Sequence, residues 1–120
     1  MPFELHETDD VTTVVLKGRL DFISAQALDG PLNEVAASRQ ALVIDLSAVE
    51  FMASLGLRSL IKCAKTISRQ KGRLALLSPR PVVAEIIHIS GIEDMIPVFK
   101  TQAEAFACVS PASAAALSRT

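Results

Sequence analysis

A hydroxyl, a glycine and a guanidinium fall within one five-residue window: Ser54, Gly56 and Arg58, in the stretch "FMASLGLRSLIKCAKTIS". The stretch follows the apolar run "ALVIDL" and opens a helix. A helix start leaves its first backbone N–H groups without partners and carries the positive end of the helix dipole. A serine there can cap the helix, its oxygen accepting from a first-turn amide. It can also receive a phosphoryl group, an anion that the same amides and dipole favour. Ser54 stands where an N-cap would stand, so both chemistries are open to it. Arg58, four residues on, lies one turn away over the same face, within reach of an anion on Ser54.

Acyl transfer is a third chemistry, and the residues do not support it. "MASLG" matches a G-x-S-x-G nucleophile elbow except that Met52 stands at the first glycine. A serine nucleophile also needs a histidine base oriented by a carboxylate. His6 falls in the first strand and His88 on the third helix. Glu85, the one carboxylate between Ser54 and His88, shares that helix. The chain is therefore read as a non-enzyme with no catalytic residue. It has no G-x-G-x-x-G or G-x-x-x-x-G-K-[ST] loop, no C-x-x-C and no histidine cluster, so neither a cofactor nor a metal site is expected. Cys63 and Cys108 are expected as small buried or half-buried thiols.

Arg58, Lys62, Lys65 and Arg69 follow at spacings of 4, 3 and 4, which makes one basic stripe along the helix. A solvated face and a docking strip for an acidic partner both fit it. The stripe is local, because the net charge is −1 and the pI about 6.1. That balance gives no attraction to nucleic acid or to an anionic membrane.

A helix that presents Ser54 must itself be held by a sheet. Residues 3–6 and 11–17 read as two strands joined by the polar "ETDD", and Gly18 breaks the second. "RLDFIS" reads as a loop. Residues 24–38 show helical spacing, with Leu28, Leu32, Val35 and Ala36 as the stripe, Ser24 as N-cap and Pro31 set to kink or divide it. The run at 41–46 suits a central strand covered on both faces. Residues 54–70 form the clearest helix, its apolar face Leu57, Leu60, Ile61, Ala64 and Ile67, ended by Gly72. A buried strand follows at 73–77. Pro81 then opens a third helix at its first position and Gly91 stops it. A short strand at 96–99 and a helix at 101–109 complete the chain. The order β-β-α-β-α-β-α-β-α implies an α/β domain with a mixed, mostly parallel sheet.

At 120 residues, half of them hydrophobic, the chain suits one domain with a real core. No apolar run approaches the roughly 18 residues of a membrane span. The acidic start "MPFELHETDD" lacks the order of a signal peptide, and a cytoplasmic location without membrane insertion is expected.

"VVLKGRLDFISAQAL" followed by "ALVIDLSAVEFMASLGLRSL" resembles the STAS domain, shared by sulphate transporters and anti-sigma factor antagonists. The pattern is a strand ending in G-x-L-D, a helix, then D-L-S-x-V and an aromatic before D-S-x-G-L. Gly18, Leu20 and Asp21 match the first part, and Asp45, Leu46, Ser47, Val49, Phe51, Ser54, Gly56 and Leu57 the second. The likeness spans about residues 3 to 109. Two positions depart: Ala53 stands where the pattern has aspartate, and Leu55 where a second serine is frequent.

The resemblance implies a single STAS-like domain over residues 1–110, with 111–120 a tail that extends the last helix or frays. It implies a bacterial partner-switching module. Such a domain binds an anti-sigma factor that is also a serine kinase, so that the sigma factor is released. Phosphorylation by that kinase ends the binding, and a serine phosphatase resets it. Carried over, Ser54 is the phosphoacceptor, Asp21 forms the kinase-facing surface from the neighbouring loop, and Gly56 permits close approach at the first turn. Arg58 and Lys62 complete the partner-binding set. The alternative is an accessory subunit of a lipid-transport or chemosensory complex that binds without being phosphorylated. The apolar Ala53 and Leu55 point towards it.

Overall fold

The computed structural model describes residues 3–8 and 10–110. Strands β1 (Glu4–Thr8) and β2 (Val11–Leu20) form a hairpin, followed by α1 (Phe22–Ser38) and β3 (Ala41–Met52). Then come α2 (Ser54–Arg69), β4 (Arg73–Leu77) and α3 (Pro81–Ser90). A 3-10 turn (Ile92–Asp94) leads to β5 (Val98–Phe99) and α4 (Gln102–Val109). The five strands lie in the order β1-β2-β3-β4-β5. β1 runs antiparallel to β2 and every other pair is parallel. The mixed, mostly parallel sheet and the expected element order are both present.

The two faces of the sheet are covered unequally. Leu16, Leu42, Ile44 and Leu76 meet Leu28 and Leu32 of α1, Leu60 and Ile67 of α2, and Val83 and Ile87 of α3. On the other face Val11, Val43, Ala75 and Leu77 meet Ala105 and Val109 of α4. Ala41 to Ile44 are buried, as a strand covered on both sides requires.

Several boundaries differ from the sequence expectation, each for a local reason. Gly18 does not end β2. It takes φ 77°, a left-handed value suited to glycine, and register shifts on either side of it let pairing with β3 resume up to Leu20. β3 runs on from 46 to Met52. Past the end of β4 it loses cover on one flank, so continuous burial gives way to an irregular pattern, with Leu46, Val49 and Met52 buried and Ser47 and Glu50 exposed. α1 starts at Phe22 and not at Ser24; Asp21 is its N-cap, accepting from the Ser24 N–H at 3.0 Å. The helix continues through Pro31 without dividing. α2 ends at Arg69, one residue early, with Lys71 taking the positive φ of 62°. Gly72 is needed for a different reason: a Cβ there would lie 2.4 Å from the Gln40 carbonyl oxygen. β5 is only two residues long, preceded by the 3-10 turn, and Thr101 caps α4. The reading of 111–120 as a helix extension or fraying tail lies outside the described residues.

No helix among the described residues is long and apolar enough to cross a membrane. Cys63 is buried and Cys108 half-buried, both free, as expected.

Candidate functional site

The carboxyl ends of β2 and β3 are tied together. Leu20 pairs with Met52, and the Ala53 N–H donates to the Leu20 carbonyl at 2.9 Å. The first turns of α1 and α2 therefore rise side by side from adjacent strand ends. Asp21 heads α1 and Ser54 heads α2. In open α/β sheets this edge is where ligands and partners meet the fold.

Ser54 is not the N-cap. Ala53 occupies that position, with extended φ −83° and ψ 169° and no side-chain acceptor. Ser54 is the first helical residue and is exposed. Among the described residues its hydroxyl has no hydrogen-bond partner in the protein. The Ala53 carbonyl accepts from the N–H groups of Gly56 at 2.9 Å and Leu57 at 3.2 Å. The amides of Ser54 and Leu55 are left open beside the Ser54 hydroxyl. Among the described residues no carboxylate or imidazole is bonded to that hydroxyl, so the fold supplies it with no general base.

Asp21 is spent on its own helix. The Ser24 amide, and then the Ser24 hydroxyl, hold the Asp21 carboxyl below the usual aspartate range. It stays solvent-exposed as an anion beside the Ala53–Ser54 junction. Gly56 is buried and does not reach the surface. A Cβ on it would sit 2.9 Å from Met52 Cγ and 3.5 Å from Leu20 Cβ, so the missing side chain sets how closely α2 seats on the two strand ends.

The remaining basic candidates divide. Arg58 is exposed one turn above Ser54. Lys62 is bound within the fold: its Nζ lies 3.0 Å from Asp29 Oδ2 on α1. The buried Ser59 hydroxyl donates to Asp29 Oδ1 at 2.9 Å. The Lys62 ammonium first, then the Ser59 hydroxyl, lower the Asp29 pKa, with Arg58 adding a smaller pull. The seam continues with the Thr66 hydroxyl donating to Asn33 Oδ1 and Gln70 Nε2 donating to the Ala36 carbonyl. Of the four cations in the basic stripe, Lys62 thus pairs with a carboxylate of the neighbouring helix.

Sequence reasoning missed two parts of this site. One is the Asp29–Ser59–Lys62 clasp. The other is the exposed apolar pair Phe22 and Ile23, 64% and 77% exposed, on the first turn of α1. Reading "RLDFIS" as a loop hid the pair; the signal available was an aspartate three residues before Ser24, the spacing of an N-cap.

The STAS domain family profile matches residues 2–105. The chain belongs to the STAS domain family. It is 36% identical over 92 residues to the anti-sigma-F factor antagonist RsfB of Mycobacterium tuberculosis, covering 76% of this chain and 75% of that one. The crystal structure of an anti-sigma factor antagonist from Mycobacterium paratuberculosis is similar at 31% identity and TM-score 0.81, over 89% of this chain and 92% of that one. The Bacillus cell fate determinant SpoIIAA, solved in its phosphorylated form, shares the fold at 20% identity and TM-score 0.67, over 87% of this chain and 96% of that one. Within the STAS fold the Asp21–Ser54 edge is the end of the sheet at which β2 and β3 hand over to α1 and α2.

Proposed function

We propose that the protein is an anti-sigma factor antagonist that works by partner switching in the bacterial cytoplasm. It acts as a binding module with no catalysis of its own. The edge carrying Asp21, Ser54 and Arg58 docks on an anti-sigma factor that is also a serine kinase, and the sigma factor is released. The kinase then transfers the ATP γ-phosphoryl to Ser54 Oγ. ADP leaves, and the hydroxyl proton passes to a base on the kinase. A serine phosphatase hydrolyses the phosphoserine and resets the module. The observation that carries this reading is the Ser54 hydroxyl, exposed at the first position of α2 beside two open amides. A phosphate there meets the amides and the positive end of the helix dipole. Arg58 lies one turn on to pair with it. The antagonist names of the mycobacterial relatives support the role.

A second reading rests on Ala53 and Leu55, which leave the cap without an acceptor and make the turn more apolar. It is an accessory subunit bound constitutively to a larger signalling or transport assembly. One experiment separates the two. The protein is isolated from its native cells with whatever co-purifies, and phosphorylated peptides are mapped by mass. Phosphate on Ser54, with an ATP-binding kinase only in the unmodified fraction, is the expected result. An unmodified Ser54 across growth and stress conditions, with one constant partner, overturns the switch in favour of the subunit.

A further inference from the structure

We propose that the groove on the outer flank of α2 binds a small anionic molecule with an apolar body. The groove is made of two adjoining cavities, of about 290 and 380 Å³, that share Ala64, Ser68 and Met95. The first reaches between α2 and the start of β4, over Ile67, Leu74 and Ile96. The second runs along α2 beside Lys65 and Arg69. Together they have the size of a small-molecule site. They lie at the amino end of β4, at the opposite end of α2 from Ser54, so this inference does not rest on the phosphorylation reading.

The floor and the rim differ in chemistry. Ala64, Ile67, Leu74 and Ile96 give an apolar floor. Lys65, Arg69 and Arg73 give a rim of three cations. Among the described residues none of the three has a carboxylate at ion-pair distance, whereas Lys17, Arg39 and Lys62 each do. The acids of the nearby 3-10 turn do not neutralise the rim: Glu93 pairs with His88, and Asp94 bridges to none of the three. Arg73 Nη1 donates to the Cys108 carbonyl at 3.3 Å, which leaves its charge uncompensated; three cations without a carboxylate partner among the described residues favour an anion locally.

The shape fits the same ligand. Ala64 and Ser68 are small residues one turn apart on α2, and they open the groove where larger side chains would fill it. Met95, 54% exposed, overhangs both cavities with an unbranched thioether that adapts to the shape of an apolar chain. An apolar body lying on the floor brings its charged head to Lys65, Arg69 or Arg73. Charge-assisted hydrogen bonds to a carboxylate or phosphate head are the strong kind.

The test is a titration of the full chain with decanoate below its micelle concentration, followed by backbone amide NMR. Saturable shifts at residues 64–69, 73–74 and 95–97 are expected. Decanol and decyltrimethylammonium should bind at least tenfold more weakly, and acetate should give no saturation. The double variant Lys65→Glu with Arg69→Glu lies wholly on the surface and should lose at least tenfold in affinity. Ser68→Phe should block the groove while the rest of the spectrum stays in place. Shifts that fail to saturate or map elsewhere overturn the proposal. So does a charge-reversed variant that keeps its affinity, or a decyl cation that binds as tightly as the anion.

Discussion

A negative charge at position 54 should tighten the fold while it breaks the partner complex, and the two effects can be measured apart. The perturbation is Ser54→Asp. Ser54 is the first helical residue of α2, with the Ser54 and Leu55 amides open and no capping side chain at Ala53. A carboxylate there gains from the helix N-terminus by about 0.3–1 kcal/mol. It is four residues before Arg58, an arrangement worth about 0.2–0.5 kcal/mol. Among the described residues the wild-type hydroxyl makes no bond that must be given up. The sum, about 0.5–1.5 kcal/mol, raises the midpoint of a domain this size by about 2–9 °C. Thermal unfolding followed by circular dichroism measures it, with Ser54→Ala and Arg58→Ala as companions. Near 1 M salt, where screening acts over about 3 Å, most of the gain should vanish. Binding to the cognate anti-sigma kinase, measured in parallel, should fall by at least a hundredfold for Ser54→Asp and little for Ser54→Ala. A lowered midpoint, or a rise indifferent to salt, refutes the description of an open helix start. Undiminished binding by a Ser54→Asp protein with a raised midpoint refutes the switch alone.

Four further outcomes follow from the packing. Gly72→Ala should destabilise by about 2–4 kcal/mol, because its Cβ meets rigid backbone at 2.4 Å and strains the Arg73–Gln40 hydrogen bond. Gly30→Ala, with nothing within 4 Å of the added carbon, should be neutral or stabilise by up to about 1 kcal/mol, and equal midpoints for the two variants in urea would sink the argument. Asp29 has a depressed folded pKa, so its contribution is present above its ordinary value of 3.8 and is lost as pH falls through the lower folded value. Asp29→Asn should therefore flatten the acid limb of stability while costing under about 1 kcal/mol at neutral pH, since the Lys62 partner is half-exposed; an unchanged acid limb in pH-dependent urea unfolding counts against the clasp. Burial pushes the Cys63 thiol up to about 12, so a thiol reagent should modify Cys108 in the native protein and reach Cys63 only after unfolding; native labelling of Cys63 at neutral pH would contradict the packing around it.

The element order was legible because each helix and strand carries its own period and its own stop. Pro81 at the start of α3 and Gly91 at its end are local signals that the structure keeps. What was not legible depended on neighbours. β3 extends past Leu46 because β2 also continues past Gly18, and neither half of that pairing is visible in the other's sequence. Ser54 was read as the cap because serine is a good cap. The backbone instead places Ala53 there, since its N–H is held by the Leu20 carbonyl. Lys62 belonged to a regular basic stripe, and only the packing of α1 beside α2 brings Asp29 and Ser59 to it.

The way α2 is fixed decides what kind of switch Ser54 can be. At its start, Gly56 seats the first turn on Met52 too closely for a methyl group unless the Met52 side chain shifts. Along one flank Asp29, Asn33 and the Ala36 carbonyl hold Ser59, Lys62, Thr66 and Gln70. Beneath, Leu60, Cys63 and Ile67 are buried in the core. A helix held at its start, along a flank and underneath has no second packing to move to. A phosphate at its exposed start also gains from the helix end, so it does not drive the helix out of place. The charge therefore does not need a change of fold to be read. Under the proposed switch, modification acts where it sits, by placing a hydrated dianion inside a docking surface that also carries Asp21 and the apolar pair Phe22 and Ile23. Arg58 and the helix amides offset part of that charge, and a partner that covers the surface must bury the remainder or leave; burying charge without full compensation costs several kcal/mol, enough to dissociate a complex. The refolding of a bistable element is then unnecessary: the two states of the switch are bound and free, not two shapes of this chain.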